Sequence, residues 1–254
     1  MPPLPPSITL TGAKSDDIET MHELTRSAFE TDIHTQLKEL VKGQPVFDES
    51  NKTHLHTLLA HPRVEITVAR DAEQGDRVVG FVIMSRRNID VPRPAPSLKL
   101  PSLPAPPDLP AHRPLTVADL EVLTNASMAA WEDYLSPAGS PCWVVIGLTV
   151  HPADQGRGVG GALLRRALAR ADEDGVYTWV QTSMGSRGHY AAAGFREVGR
   201  LELDLDLFAG GREVPEALRR LTAGSASWGT YVWTYMRAAP AAAAYSSSSS
   251  GDDP

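Results

Sequence analysis

Cysteine is nearly absent from this chain. Cys142 stands alone among 254 residues, so no intrachain disulfide can form and the paired-cysteine zinc patterns are missing. That usage suits a reducing compartment. Long apolar runs are lacking too, and none approaches the ~20 residues that span a bilayer. Nor is there a basic excess: 24 Lys and Arg face 31 Asp and Glu, for a formal net charge of −7. Nucleic-acid readers usually carry a basic surface, so this balance speaks against that partner and mildly for cationic ones such as amines. The opening Met1-Pro-Pro-Leu-Pro-Pro has neither the basic nor the apolar region of a secretory signal. The expected location is cytoplasmic, with the nucleus left open, and no membrane partner is expected.

What is present is ordinary for a globular protein, with 42% hydrophobic and 22% charged residues. Composition divides the chain simply. Residues 1–7 are proline-rich and read as disordered, and 238–254, rich in alanine, serine and acid, reads as a disordered tail. Between them, 8–237 reads as one domain. Residues 88–114 hold a dense proline cluster that behaves as an extended connector and cannot join a central sheet. It reads as an insertion.

Periodicity places the elements. Residues 8–11 suit a strand, and Ser15 offers an N-cap to a helix with Ile18, Met21, Leu24, Ala28 and Phe29 at helical spacing. A weaker helical stretch spans 48–59. Residues 64–69 and 78–85 read as a hairpin. Thr116 and Asp119 have capping-box spacing before a helical stripe of Val117, Leu120, Leu123, Trp131 and Tyr134. A strand over 143–150 then runs into a glycine-dense loop and a helix over about 158–173, closed by Gly175. Strands follow over 176–181, 195–207 and 229–237, with a short helix over 185–193 and a helical turn after Pro215.

The glycine loop, Gln155-Gly-Arg-Gly-Val-Gly-Gly161, carries the chemistry. Backbone N–H groups at a helix start have no intrahelical partner and sit at the positive end of the helix dipole, so they suit a phosphate. A P-loop needs a lysine and a hydroxyl residue after its last glycine, but Ala162 and Leu163 stand there. Gly156-x-Gly158-x-x-Gly161 fits a dinucleotide fingerprint by letter. Five residues separate it from its strand, however, and the next strand carries no acid for a ribose.

A wider constellation fits better. Gln155-x-x-Gly158-x-Gly160 follows a strand ending Leu148-Thr-Val150, and Tyr190-Ala-Ala-Ala-Gly-Phe195 lies downstream. Together these closely resemble the GCN5-related N-acetyltransferase (GNAT) superfamily over roughly residues 8–237, the insertion excepted. The N-terminal third resembles it only in the order of its elements. The resemblance implies an α/β (α+β) fold with a mixed, mostly antiparallel sheet, flanked by helices and splayed at the cofactor cleft.

It also implies a reaction: transfer of an acetyl group from acetyl-CoA to a primary amine, by direct attack in a ternary complex and without a metal. Gln155, Gly156, Arg157, Gly158, Val159, Gly160 and Gly161 would bind the pyrophosphate. Leu148, Thr149 and Val150 would pair with the pantetheine arm like an added strand. Ser183 would contact the cofactor, or else cap the helix that follows it. Tyr190 would give a proton or hydrogen bond to the leaving sulfur, worth ~10²–10⁴-fold as acid catalysis. Many relatives place a glutamate on the strand equivalent to 144–150, and this strand has no acid. Glu30, Glu132, Asp133 or a water relay remain for deprotonation. The acceptor is expected to be a small molecule, with a protein N-terminus or lysine as the alternative and a non-catalytic acyl-CoA sensor as another. A homodimer is left open.

Other residues read as structural. His54 and His56 lack a third ligand partner. His189 should point away from Tyr190's site as its helix neighbour. Cys142 fills apolar space. Arg187 and Arg196 suit solvated surface, and Trp228, Tyr231, Trp233 and Tyr235 suit sheet packing.

Overall fold

Seven strands form one sheet in the computed structural model, which describes residues 3–88, 103–105, 108 and 113–241. The strands are β1 (Ile8–Gly12), β2 (Val64–Asp71), β3 (Arg77–Arg87), β4 (Cys142–Val150), β5 (Tyr177–Thr182), β6 (Arg196–Asp204) and β7 (Thr230–Ala238). Among the described residues six α-helices flank them: α1 (Ile18–Phe29), α2 (Ile33–Lys42), α3 (Glu49–Ala60), α4 (Val117–Leu135), α5 (Val159–Glu173) and α6 (Met184–Ala192). Spatial order is β1-β2-β3-β4-β5-β7-β6. Every neighbouring pair is antiparallel except β4 and β5, which α5 joins by the crossover a parallel pair requires.

Alternation along β4 sorts its side chains between two faces. Trp143 and Val145 enter a core with Leu163 and Leu164 of α5, Tyr190 of α6 and Phe195. Cys142 and Val144 enter the opposite core with Leu37 of α2 and Leu120 of α4. A third cluster seats Met21 and Leu24 of α1 and Leu55 of α3 on Phe81 and Ile83 of β3. Thus α5 and α6 cover one face, and α1 to α4 cover the other. Leu163 and Leu164 have no exposed surface; burying each stabilises the fold by roughly 1.5–3 kcal/mol.

One joint in the sheet is incomplete. β4 pairs with β5 only from Cys142↔Tyr177 to Val145↔Val180. β4 then continues along β3 to Val150, while β5 continues along β7 to Thr182. Ile146 is the cause on the β4 side: the β3 register jumps from Ile83↔Gly147 to Met84↔Val145, so Ile146 is an unpaired extra residue. Such a bulge bends its strand. Beyond it the two parallel strands no longer share a ladder.

The structure departs from the sequence pattern in several places. Ser15 caps nothing: it opens a 3-10 turn, Ser15–Asp17, whose N-cap position is Lys14, and Asp17 precedes α1. Asp17 is held by Arg70 at 2.7 Å. Periodicity missed α2 altogether. The strand expected over 195–207 ends at Asp204, where the Asp204 carboxylate accepts from the Asp206 N–H and starts a 3-10 turn over Leu205–Phe208. At the N-terminus Leu4 packs on the α5-side core and the Ser7 carbonyl accepts from Ala72 N, so residues 3–7 are bound to the fold. Ala238 belongs to β7, not to a tail. The proline-rich insertion lies mostly, and the tail beyond residue 241 wholly, outside the described residues.

Candidate active site

The site grows from the end of β4. His151 N donates to Val79 O at 2.9 Å, and antiparallel pairing alternates along the strand. Thr149 and Gly147 therefore turn their backbone groups toward β3, while Leu148 and Val150 turn theirs toward the open joint. Gln155 bears this out, donating from Nε2 to Val150 O at 3.3 Å.

Past Val150 the chain makes a 3-10 turn, Pro152–Asp154, and reaches α5 through Gly156 and Gly158. Both glycines hold left-handed backbone, with φ of +77° and +85°, which a side chain would strain. Gly158 is the N-cap of α5, no side chain caps the helix, and its first turn carries no acid. The amides of 159–161 are left facing a cleft of about 310 Å³. Leu148 and Val150 form one wall of that cleft; Gly185, Ser186, His189 and Tyr190 of α6 form another.

Arg157 does not line the cleft. Its guanidinium turns back to Asp154 and, at 2.9 Å, to Asp71 at the end of β2. Both carboxylates are almost wholly buried, and Gln74 Nε2 donates to each at 3.0 Å. Burial alone would raise the Asp71 carboxyl; the hydrogen bonds from Arg157 and Gln74 outweigh it and hold the group below its usual range. Arg157 thus ties the glycine loop to the β2–β3 hairpin.

Tyr190 is 4% exposed and packs edge-on against Phe195, with ring centroids 5.4 Å apart. Its carbonyl accepts from both Ala193 N and Phe195 N, and Gly194 at φ +93° makes the turn that brings Phe195 back. That is the physical content of the Tyr-x-x-x-Gly-Phe spacing. Burial pushes the phenol well above its ordinary pKa, so it keeps its proton and can donate. His189, expected to face away, borders the same cleft. Its ring lies 6.0 Å from that of Tyr190, and a Cβ on Gly160 would sit 3.5 Å from it. Its buried Nε2 has no partner. Neighbours 100° apart on a helix can both border a groove this wide.

A second cleft of about 360 Å³ shares Leu148, Val150, Gln155, Gly185 and Ser186 with the first. Thr149 and Ser183 line this second cleft rather than the first. Ser183 occupies the N-cap position of α6 without a side-chain capping bond. Phe29 at the end of α1, Asp32 and Ile33 at the start of α2, Leu221 and Tyr231 complete the walls. The open β4–β5 joint therefore connects a cleft on the α5 side to one on the α1–α2 side. Glu30, Glu132 and Asp133 line neither, and Glu132 pairs with Arg87 at 3.0 Å.

Sequence reasoning missed Asp32, Tyr231 and His189. Tyr231 Oη donates to Asp32 Oδ1 at 2.7 Å, and Asp32 Oδ2 caps α2 by accepting from Thr35 N at 2.9 Å and Thr35 Oγ1 at 2.7 Å. Burial and the adjacent Asp32 charge push the Tyr231 phenol far up. The Asp32 N-cap with Gly43 eleven residues on was the signal available. Among the described residues no group of three or more His, Cys, Asp or Glu is placed to hold a metal ion, and no helix is long and apolar enough to cross a membrane.

Comparison with known proteins agrees with this architecture. No curated protein matches the chain. Among solved structures, a mosquito arylalkylamine N-acetyltransferase like 5b is similar at 14% identity and TM-score 0.54, over 92% of this chain and 100% of its own. A GNAT superfamily phosphinothricin acetyltransferase from Sinorhizobium meliloti, in complex with AcCoA, is similar at 14% identity and TM-score 0.50, over 92% and 89% respectively. These likenesses show the fold. The model of the acetyltransferase (GNAT) family matches residues 19–195, and with the open strand joint and uncapped glycine loop in place, the chain belongs to that family.

Proposed function

We propose that this protein transfers an acetyl group from acetyl-CoA to a primary amine of a small molecule, in a ternary complex. The observation that carries this reading is the open β4–β5 joint, which joins a cleft of backbone amides to a cleft bearing a carboxylate. The donor fits the first cleft on its own terms. The amides of 159–161 supply an anion site at a helix N-terminus, and Gly156 and Gly158 form the loop without side chains in the way. The open backbone groups of Leu148 and Val150 would receive the amide-containing arm as an extra strand. Ser183 and Gln155 sit where the two clefts meet or adjoin, within reach of that arm.

The thioester supplies an activated carbonyl carbon. A C–N bond forms there as the C–S bond breaks. An ammonium acceptor starts with three N–H protons: one stays on the amide, one goes to water, and one ends on sulfur. Tyr190, buried and protonated, is the donor we assign for the proton on sulfur, and the proton leaving nitrogen then restores the phenol. An ammonium with a pKa of about 10 must lose a proton before attack, and we assign that step to water reaching the second cleft, because β4 has no acid.

The test is release of CoA thiol across an amine panel, with mass spectrometry of the products. Acetylated amine is the expected result. Tight CoA binding with no product from any amine would favour a non-catalytic acyl-CoA sensor, a reading that the acid-free β4 strand keeps open.

A further inference from the structure

We infer that the acceptor is a primary amine on a compact apolar body that carries no anionic group, and that Asp32 holds its ammonium. This rests on the function proposed above and names the substrate class of the same site. The lining of the second cleft is one-sided in charge. Phe29, Ile33, Met184 and Leu221 give it apolar surface beside the neutral polar groups of Thr31, Gln155, Ser183 and Ser186. Asp32 is the single charged side chain among the described lining residues; no Lys, Arg or His joins it.

Asp32 is held as a ready-made counter-ion. An ionised carboxylate offers about four acceptor positions. Three are filled, two on Oδ2 by Thr35 and one on Oδ1 by Tyr231. The remaining position lies on Oδ1, the oxygen that Tyr231 anchors within the cleft. Tyr231 is thus a positioning residue, fixing the carboxylate that meets the substrate. An ammonium placed there gains a charge-assisted hydrogen bond. A carboxylate or phosphonate on the same acceptor would meet Asp32 with no side-chain cation to offset it. The cleft volume, about 360 Å³, is at the small end of the ~300–1,000 Å³ range of ligand pockets, which suits a compact amine.

Matched acceptors test this on the intact protein. Hexylamine against 6-aminohexanoate, and 2-phenylethylamine against phenylalanine, differ by one carboxylate. The carboxylate-free member is expected to have kcat/KM higher by about 50-fold or more. Equal rates, or a preference for the acid, would overturn the inference while leaving acetyl transfer standing. Asp32→Asn keeps the shape and the capping ability of the side chain and removes its charge. It should raise KM for 2-phenylethylamine at least about tenfold, with CoA affinity and Tm nearly unchanged; an unaltered KM would also overturn it. Calorimetry of 2-phenylethylamine binding to the CoA-loaded protein separates the two proposals. Binding that Asp32→Asn abolishes, without turnover, supports the ammonium site and sinks the reaction. No binding and no turnover with any amine, with or without a carboxylate, sinks both.

Discussion

The two clefts are built from different materials. On the α5 side the groups that would grip a ligand are mainly backbone: amides of one loop, glycines that keep side chains away, and strand groups freed by the Ile146 bulge, with the side chains of His189 and Tyr190 on the facing wall. On the α1–α2 side the working parts are side chains brought from distant segments, with Asp32 and Tyr231 199 residues apart in the chain. A cleft made of contiguous backbone binds what its family binds. A cleft assembled from scattered side chains is where one member's specificity resides. The two should therefore fail in different ways when perturbed.

Acid is expected to produce the largest effect, and on the acceptor side. His34 in α2 lies buried between Tyr231 and Trp233, with ring centroids 5.1 and 5.6 Å away, and its Nε2 has no partner. Burial lowers its pKa to about 4, against a partial opposing pull from Asp32 and Glu121 and a small push from Lys38. A folded-state pKa below the unfolded value means the neutral ring favours folding above about pH 6.5, and that advantage is lost as pH falls toward 4. Linkage makes that loss on the order of 2 kcal/mol between pH 7 and pH 4.5. Urea unfolding at pH 7 and pH 4.5 should show it, and His34→Phe should flatten that part of the profile. An unchanged profile in the variant would place the acid sensitivity elsewhere.

The same contrast explains what could be read from the letters. The donor-side cleft was legible because its parts are contiguous: strand, loop glycines and helix in one run, with Tyr190 and Phe195 tied by a single turn. The capping box at Thr116, the closing Gly175 and most strands were legible for the same local reason. α2 was overlooked although Ile33, Leu37 and Val41 repeat at helical spacing and pack on the core, because buried His34 and Thr35 put polar residues on that face. Arg157 looked like a phosphate ligand because its partner Asp71 lies 86 residues away. The one mark of the Ile146 bulge is Gly147 beside it, an isolated glycine within a strand, and that bulge opens the joint on which the site depends.

Next in size is Gly158→Val. A β-branched side chain at φ +85° strains the loop by roughly 1–3 kcal/mol and misdirects the amides of α5. CoA affinity should fall by about tenfold to a hundredfold in calorimetry, while binding of an amine to the apo protein stays measurable. Equal damage to both would mean that the clefts are not separable. Tyr190→Phe follows: turnover should drop at least about tenfold with CoA affinity nearly intact, since the phenol meets the leaving sulfur only as the bond breaks. An unchanged rate would remove Tyr190 from the reaction.

The smallest effect is expected at the neighbouring glycine, and it sharpens the comparison most. Gly160 has ordinary helical backbone, and a Cβ there would lie 3.4 Å from Val150 Cγ2 and 3.5 Å from the His189 ring, which is ordinary contact. Inside a helix alanine is favoured over glycine by ~1 kcal/mol. Gly160→Ala should therefore match or slightly exceed the wild-type Tm, with CoA affinity within about threefold. Loss of CoA binding in a folded, stable Gly160→Ala protein would show that the donor approaches α5 more closely than the cleft walls allow, because the added methyl would then block the ligand and not the chain.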